Sequence, residues 1–243
     1  MRLVLPAILV ALAAPPATAA NAPPTLSRTP QLAKDAEGFP PLVGANPAIA
    51  RINRALRAAN AQRAKDIADC RRDAPPGGYT WEQTVDAPLL GAHFVSFWTH
   101  GNQSCGGAHP NVVMEALVFD LSTGERVDWR KLLPAALRAA PDAPPPPDTI
   151  ASPALTALFV AESENEGADA DCKEAFGQQE MNFEFWPDAK AKGLAMRAAN
   201  LLHWAEGPCS GPVTIPMATL KRLGFDASLI EDIATGRYQV ADP

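Results

Sequence analysis

Four cysteines, Cys70, Cys105, Cys172 and Cys209, limit what this chain can become more than any other feature, because its first residues read as an export signal. In "MRLVLPAILVALAAPPATAANAPP", Arg2 is a positive n-region, Leu3 to Ala14 an apolar run, and Ala17-Thr18-Ala19 a small-residue cleavage site. The run is too short to span a membrane, and no cysteine follows it to carry a lipid. Residues 1–20 are therefore expected to be removed near Ala19 or Ala20, leaving a periplasmic or secreted protein. No later segment approaches the ~20 apolar residues of a membrane span. In an oxidising compartment an even cysteine count implies two disulfides, and four cysteines allow three pairings. We take one bridge in each half, Cys70–Cys105 and Cys172–Cys209. Each closes a loop of about 35 residues, worth roughly 3–4 kcal/mol in the chain-entropy model. The zinc alternative lacks any C-x-x-C or H-x(3–5)-H pair.

The formal net charge of −6 and pI near 5.2 argue against nucleic acid, which demands a basic face. They leave room for a basic protein, although a mild acidic balance is also ordinary for a soluble chain.

Residues 21–45 are rich in Pro and Ala and read as a leader arm, with a short edge strand at Leu42-Val43. The domain proper is expected over 46–243. Asn46 caps a helix with Pro47 at its first position. Ile49, Ile52, Leu56, Ala59, Ile67 and Cys70 form its buried stripe, and Arg51, Arg54 and Arg57 a solvated face. "APPGG" at 74–78 stops it. Three strand-like runs follow: "YTWEQTVDA", "AHFVSFWTH" and "NVVMEALVFDL". "STGE" turns into a helix capped by Asp128, "DWRKLLPAALRAA". "PDAPPPPD" at 141–148 is a surface loop. Ser152 caps a helix that "NEGADAD" breaks. Strands at 181–188, "GLAMRA" and "GPVTIP" precede "MATLKRLG" and a final helix capped by Asp226. Clustered strands with flanking helices make this an α+β domain: an antiparallel meander, one domain, no internal repeat.

"QSCGGAHPN", 103–111, lies between two of those strands. Gly106 and Gly107 permit positive φ and His109-Pro110 sets the re-entry, so the motif reads as a shaped loop tied by Cys105 to the first helix. Sharper readings compete. The caspase-like pattern needs a histidine about 50 residues upstream, and none precedes His93. A nucleophile elbow needs glycine where Asn102 stands. A metal site could draw on His100, Cys105 and His109, while His93 has the opposite strand parity to His100. No metal or cofactor is expected. His203 in "LLHWAEGPC" is either structural or a general base with Glu206 near it. "ESENEGADAD", 162–171, does not match a calcium loop and reads as a solvated acidic loop beside Trp186 and Trp204 that suits a cationic partner.

"GGAHPN", followed by a strand and "FDLSTGERVDWRKLL", resembles the extracytoplasmic domain of RsiV-type anti-sigma factors, which also precedes the catalytic domain of PdaC-type peptidoglycan deacetylases. Gly106, Gly107, Ala108, His109 and Pro110 match the family's loop; Asp120, Leu121, Thr123 and Gly124 match its turn. "NFEFWPDAKAKGL" and "HWAEGPCSGPVTIPMATLKRLG" are similar to its later strands and helix. The likeness covers roughly residues 45 to 224. It implies an α+β domain outside the cytoplasmic membrane with no established catalytic residues. The sensing members bind lysozyme, so it also implies recognition of a protein or of the cell wall. This chain shows neither a membrane helix with a sigma-binding segment nor a deacetylase domain, and is expected to be the free-standing module.

The functional expectation is a non-enzymatic envelope module that binds lysozyme-like proteins or peptidoglycan through Gly106, Gly107, His109 and Asn111. The alternative is an envelope hydrolase built on His109 or His203 with a nearby carboxylate. Exposure of Trp98, Trp186 and Trp204 would favour a glycan.

Overall fold

The structure is a computed structural model, and it describes residues 23–107, 109–138, 149–178 and 180–240. The expected export signal at 1–20, the Pro-rich stretch 141–148 and Ala108 lie outside the described residues.

Residues 23–45, read as a leader arm, are instead built into the fold. β1 (Thr25–Leu26), β2 (Gln31–Ala33), β3 (Ala36–Glu37) and β4 (Leu42–Val43) pair as β1–β4 and β2–β3. Ala36, Phe39 and Leu42 are buried. Prolines keep this segment from forming long ladders, so part of its backbone needs other partners. Two asparagines of α1 (Ala48–Asp73) supply them. Asn60 accepts from the Phe39 N–H at 2.8 Å and donates to its carbonyl at 3.0 Å. Asn53 does the same for Leu42 at 2.8 and 2.9 Å.

At the start of α1 the Asn46 side chain accepts from the Ala48 N–H at 2.8 Å. Ile49, Ile52, Leu56, Ile67 and Cys70 are its buried stripe, and Arg51, Arg54 and Arg57 are exposed. Its 26 residues make it about 39 Å long. It ends at Ala74, which is extended before Pro75.

β5 (Tyr79–Leu90), β6 (Phe94–Cys105) and β7 (Asn111–Asp120) form the antiparallel meander. β6 runs five residues past His100, so Gln103, Ser104 and Cys105 are strand and the motif's loop is only Gly106–Pro110. Asp128 caps α2 (Trp129–Leu132), but Pro134 cuts that helix to one turn followed by a 3-10 turn at Ala135–Leu137. Ser152 caps α3 (Pro153–Asn165). The acidic run does not stay a loop: its first part lies in α3, and Asp169 caps α4 (Ala170–Gly177) by accepting from Cys172 N–H at 2.8 Å. Then come β8 (Phe183–Asp188), β9 (Gly193–Ala198), α5 (His203–Glu206), β10 (Val213–Pro216), α6 (Met217–Leu223), α7 (Ala227–Thr235) and β11 (Arg237–Val240).

The main sheet has the order β2-β3-β5-β6-β7 with β11 also on β5, and it is mixed because β3 and β5 run parallel. A second sheet has the order β10-β9-β8. With its helices this is an α+β fold. One face of the main sheet packs Val85, Phe97, Leu117 and Phe119 against Ile52 and Leu56 of α1. The other face meets the second sheet, where Trp98 stacks on Trp186 with centroids 4.0 Å apart. There Ser96 donates to the Pro187 carbonyl at 2.9 Å. Behind the second sheet Phe159, Phe176, Phe183 and Phe185 continue the core.

Candidate recognition surface

The loop at one end of the meander is fixed from three directions. Gln103 of β6 is opposite Asn111 of β7, so the ladder closes right at the loop. Cys105 is bonded to Cys70 in the last turn of α1, with a sequence separation of 35. Gly106 sits at φ +90°, and a side chain there would strike the Pro75 ring, so the chain can pass only as glycine. Gly107, His109, Pro110 and Asn111 are all exposed. Thus Gly106, Gly107 and His109 fall in one short exposed loop, and Asn111 is the first residue of the strand that follows it. Beside it Arg71 lies 5.1 Å over the Tyr79 ring, and Arg72 pairs with Asp69 and Asp73 at 2.7 and 2.9 Å.

From that loop the face of the meander turned away from α1 runs toward the second sheet. Thr80, Glu82, Thr84 and Asn102 are exposed on it, and the His100 side chain is 45% exposed. Alternation explains the set, since even-numbered residues of β5 and β6 share this side. His100 Nε2 is 3.0 Å from Thr84 Oγ1 and 3.5 Å from Asp86 Oδ2. Asp86 also accepts the Tyr238 hydroxyl. Burial first, then the charges of Asp86 and Asp188, push that phenol up to about 12. Lys190 lies 4.9 Å over the Tyr238 ring.

Where the second sheet begins, Arg197 closes the polar face. It pairs with Glu184 at 3.0 Å, donates to the Met114 carbonyl at 3.2 Å and lies 5.7 Å over Trp98. Burial raises the Glu184 carboxyl and Arg197 partly offsets it. Beyond that pair the aromatics are core: Trp98 and Trp186 are buried, and Trp204 is exposed.

Several sequence-based alternatives end differently. Cys105 is in a disulfide and has no thiolate to give, so the metal set of His100, Cys105 and His109 does not form. His93 and His100 each meet a carboxylate, Asp232 at 3.1 Å and Asp86 at 3.5 Å. His93 stands before β6 and His109 after it, so a strand of 12 residues, about 40 Å, separates them. His203 opens α5, and its side chain lies outside the described residues. Asp86, Tyr238 and Arg197 were not singled out from sequence. Parity alone puts Asp86 with Thr84 and His100, but nothing in the sequence announces that β11 pairs with β5.

Comparison with protein-family models gives no match, and comparison with curated proteins gives none either.

Proposed function

We propose that this chain is an exported, non-enzymatic binding module of the cell envelope, akin to the RsiV/PdaC-type extracytoplasmic domain. It recognises a basic, lysozyme-like protein through the Gly106–Asn111 loop. The observation that carries this reading is how the ends of that loop are fixed: the Cys70–Cys105 disulfide, Gly106 wedged against Pro75 and the Gln103–Asn111 pair flank exposed His109. Fixed ends leave a loop fewer conformations to lose on binding, which suits a recognition element.

Two disulfides suit an oxidising compartment, and no described helix is long and apolar enough to cross a membrane. Both fit removal of residues 1–20 as a signal peptide and release outside the cytoplasm. Trp98 and Trp186 are buried and offer no stacking platform to a sugar, whereas exposed Trp204 does, so it is charge that favours a protein partner over peptidoglycan. The net charge of −6 favours a basic one.

Calorimetric titration of the oxidised protein with a lysozyme, and retention on insoluble peptidoglycan, test the proposal. Saturable heat with lysozyme that drops at least tenfold in His109→Ala is the expected result. Binding to peptidoglycan alone would move the partner to the glycan, and no binding to either overturns the reading.

A further inference from the structure

A cleft of about 320 Å³ opens beside the second disulfide, on elements that the loop does not use. Its floor is apolar and buried: Phe159, Phe176, Cys172 and Cys209. Its rim carries two exposed carboxylates, Glu166 and Asp169. Each is held by one oxygen. Glu166 Oε1 accepts from the Thr214 N–H at 2.9 Å, which ties the end of α3 to β10. Asp169 Oδ1 accepts from the Cys172 N–H at 2.8 Å at the start of α4. An amide oxygen would serve either bond as well as a carboxylate does, so the two negative charges exceed what the fold requires. Among the described residues lining the cleft there is no lysine, arginine or histidine, and the nearby Lys173 is engaged by Glu164 at 3.6 Å.

We infer that this cleft receives a lysine or arginine side chain from a basic protein partner, an inference that rests on the binding-module reading above. The apolar floor takes the methylene stem and the rim carboxylates take the charged head, the usual division of labour for a long cationic side chain. The volume is at the low end of ligand sites, which suits one side chain better than a whole cofactor. Charge complementarity is the deciding observation: the charged side chains among the described residues lining the cleft are all carboxylates.

The test uses the oxidised protein labelled with 15N and three capped amino acids, N-acetyl-lysine, N-acetyl-arginine and N-acetyl-norleucine methylamides. The expected result is saturable shifts of the amides between Glu166 and Cys172 and of Thr214 with the two cations. Norleucine should leave them still. The Glu166→Gln/Asp169→Asn double variant keeps both backbone hydrogen bonds and should weaken the response at least tenfold. Equal shifts with norleucine, or none with any probe, overturn the inference. Lysozyme titration of the same variant separates the two proposals. Unchanged lysozyme affinity in the double variant overturns the cleft as the contact and leaves the loop reading standing. Cation binding at the cleft without any lysozyme binding sustains the cleft and overturns the loop's partner.

Discussion

The tripeptide Gly-Ala-His occurs twice in this chain, at 91–93 and at 107–109, once at each end of β6. The two copies are used in opposite ways. At the first, the buried carboxylate of Asp232 accepts from the N–H groups of Ala92, His93 and Phe94 at 3.0, 2.8 and 2.7 Å, and meets His93 Nδ1 at 3.1 Å. That turn is finished internally, by a side chain about 140 residues away in sequence. At the second, the chain is fixed by a covalent bond and by Pro75, and the histidine is left exposed. Identical letters therefore carry no function of their own. What separates the two turns is how each is held: one by a buried carboxylate, the other by a disulfide and a proline ring.

Removing the covalent tie is the strongest test of that contrast. The Cys70→Ala/Cys105→Ala double variant should lose about 3–4 kcal/mol, the chain-entropy value for its loop, in denaturant unfolding. Amide exchange should quicken at 106–111 and stay slow at 91–94. Equal loosening at both ends would show that they are not independent.

Asp232→Ala should cost about 3 kcal/mol, since three backbone donors lose their acceptor inside the fold. The unfolding midpoint should fall with an unchanged denaturant slope. A loss below about 1 kcal/mol would mean that water or another group replaces the carboxylate.

The glycines give a matched pair. A methyl group on Gly91 collides with the Asp232 carboxylate, whereas on Gly107 its nearest neighbour is the His109 carbonyl at 3.8 Å. Gly91→Ala should therefore destabilise by about 2 kcal/mol and Gly107→Ala by less than about 0.5 kcal/mol, read as a difference in melting temperature.

The smallest effect is spectroscopic and lies between the two ends. The Tyr238 phenol is raised from 10.0 to about 12, so its neutral form contributes stability that is complete below pH 10 and is lost as pH rises toward 12. Ultraviolet titration should show a late tyrosine step that disappears in Tyr238→Phe and moves to lower pH in Asp86→Asn. A Tyr238 step at the ordinary pH would mean that the phenol is neither desolvated nor within reach of Asp86.

Much of the frame was legible because it rests on local chemistry. The Ser152 and Asp226 caps, the α1 stripe and the alternation in β5 to β7 are written in neighbouring residues, while α1 starts at Ala48, one residue later than Pro47. The parts that escaped depend on distant partners. Asn53 and Asn60 look like ordinary helix residues, yet they satisfy the backbone of an arm that composition alone made a leader. Asp169 follows a helix-breaking glycine, so α4 was hidden inside what read as an acidic loop. β11 is four residues long and has no pattern of its own, and it is held by β5. Of the candidate surface, the loop could be read directly. His100 could be named and strand parity sets Asp86 beside it, but Tyr238 could not be placed, because it comes from β11.

The outer edge of β5 is shared by β3, which meets it at Gln83, and β11, which covers Asp86 to Leu90. These two pieces come from opposite ends of the described chain, and Arg237 donates to the Pro24 carbonyl at 3.2 Å across a separation of 213 residues. A chain emerging from a ribosome or a translocation pore thus leaves this edge open until residue 240 is out. Closing the sheet is a late, long-range event, and an incomplete chain exposes a strand edge that invites pairing with another molecule.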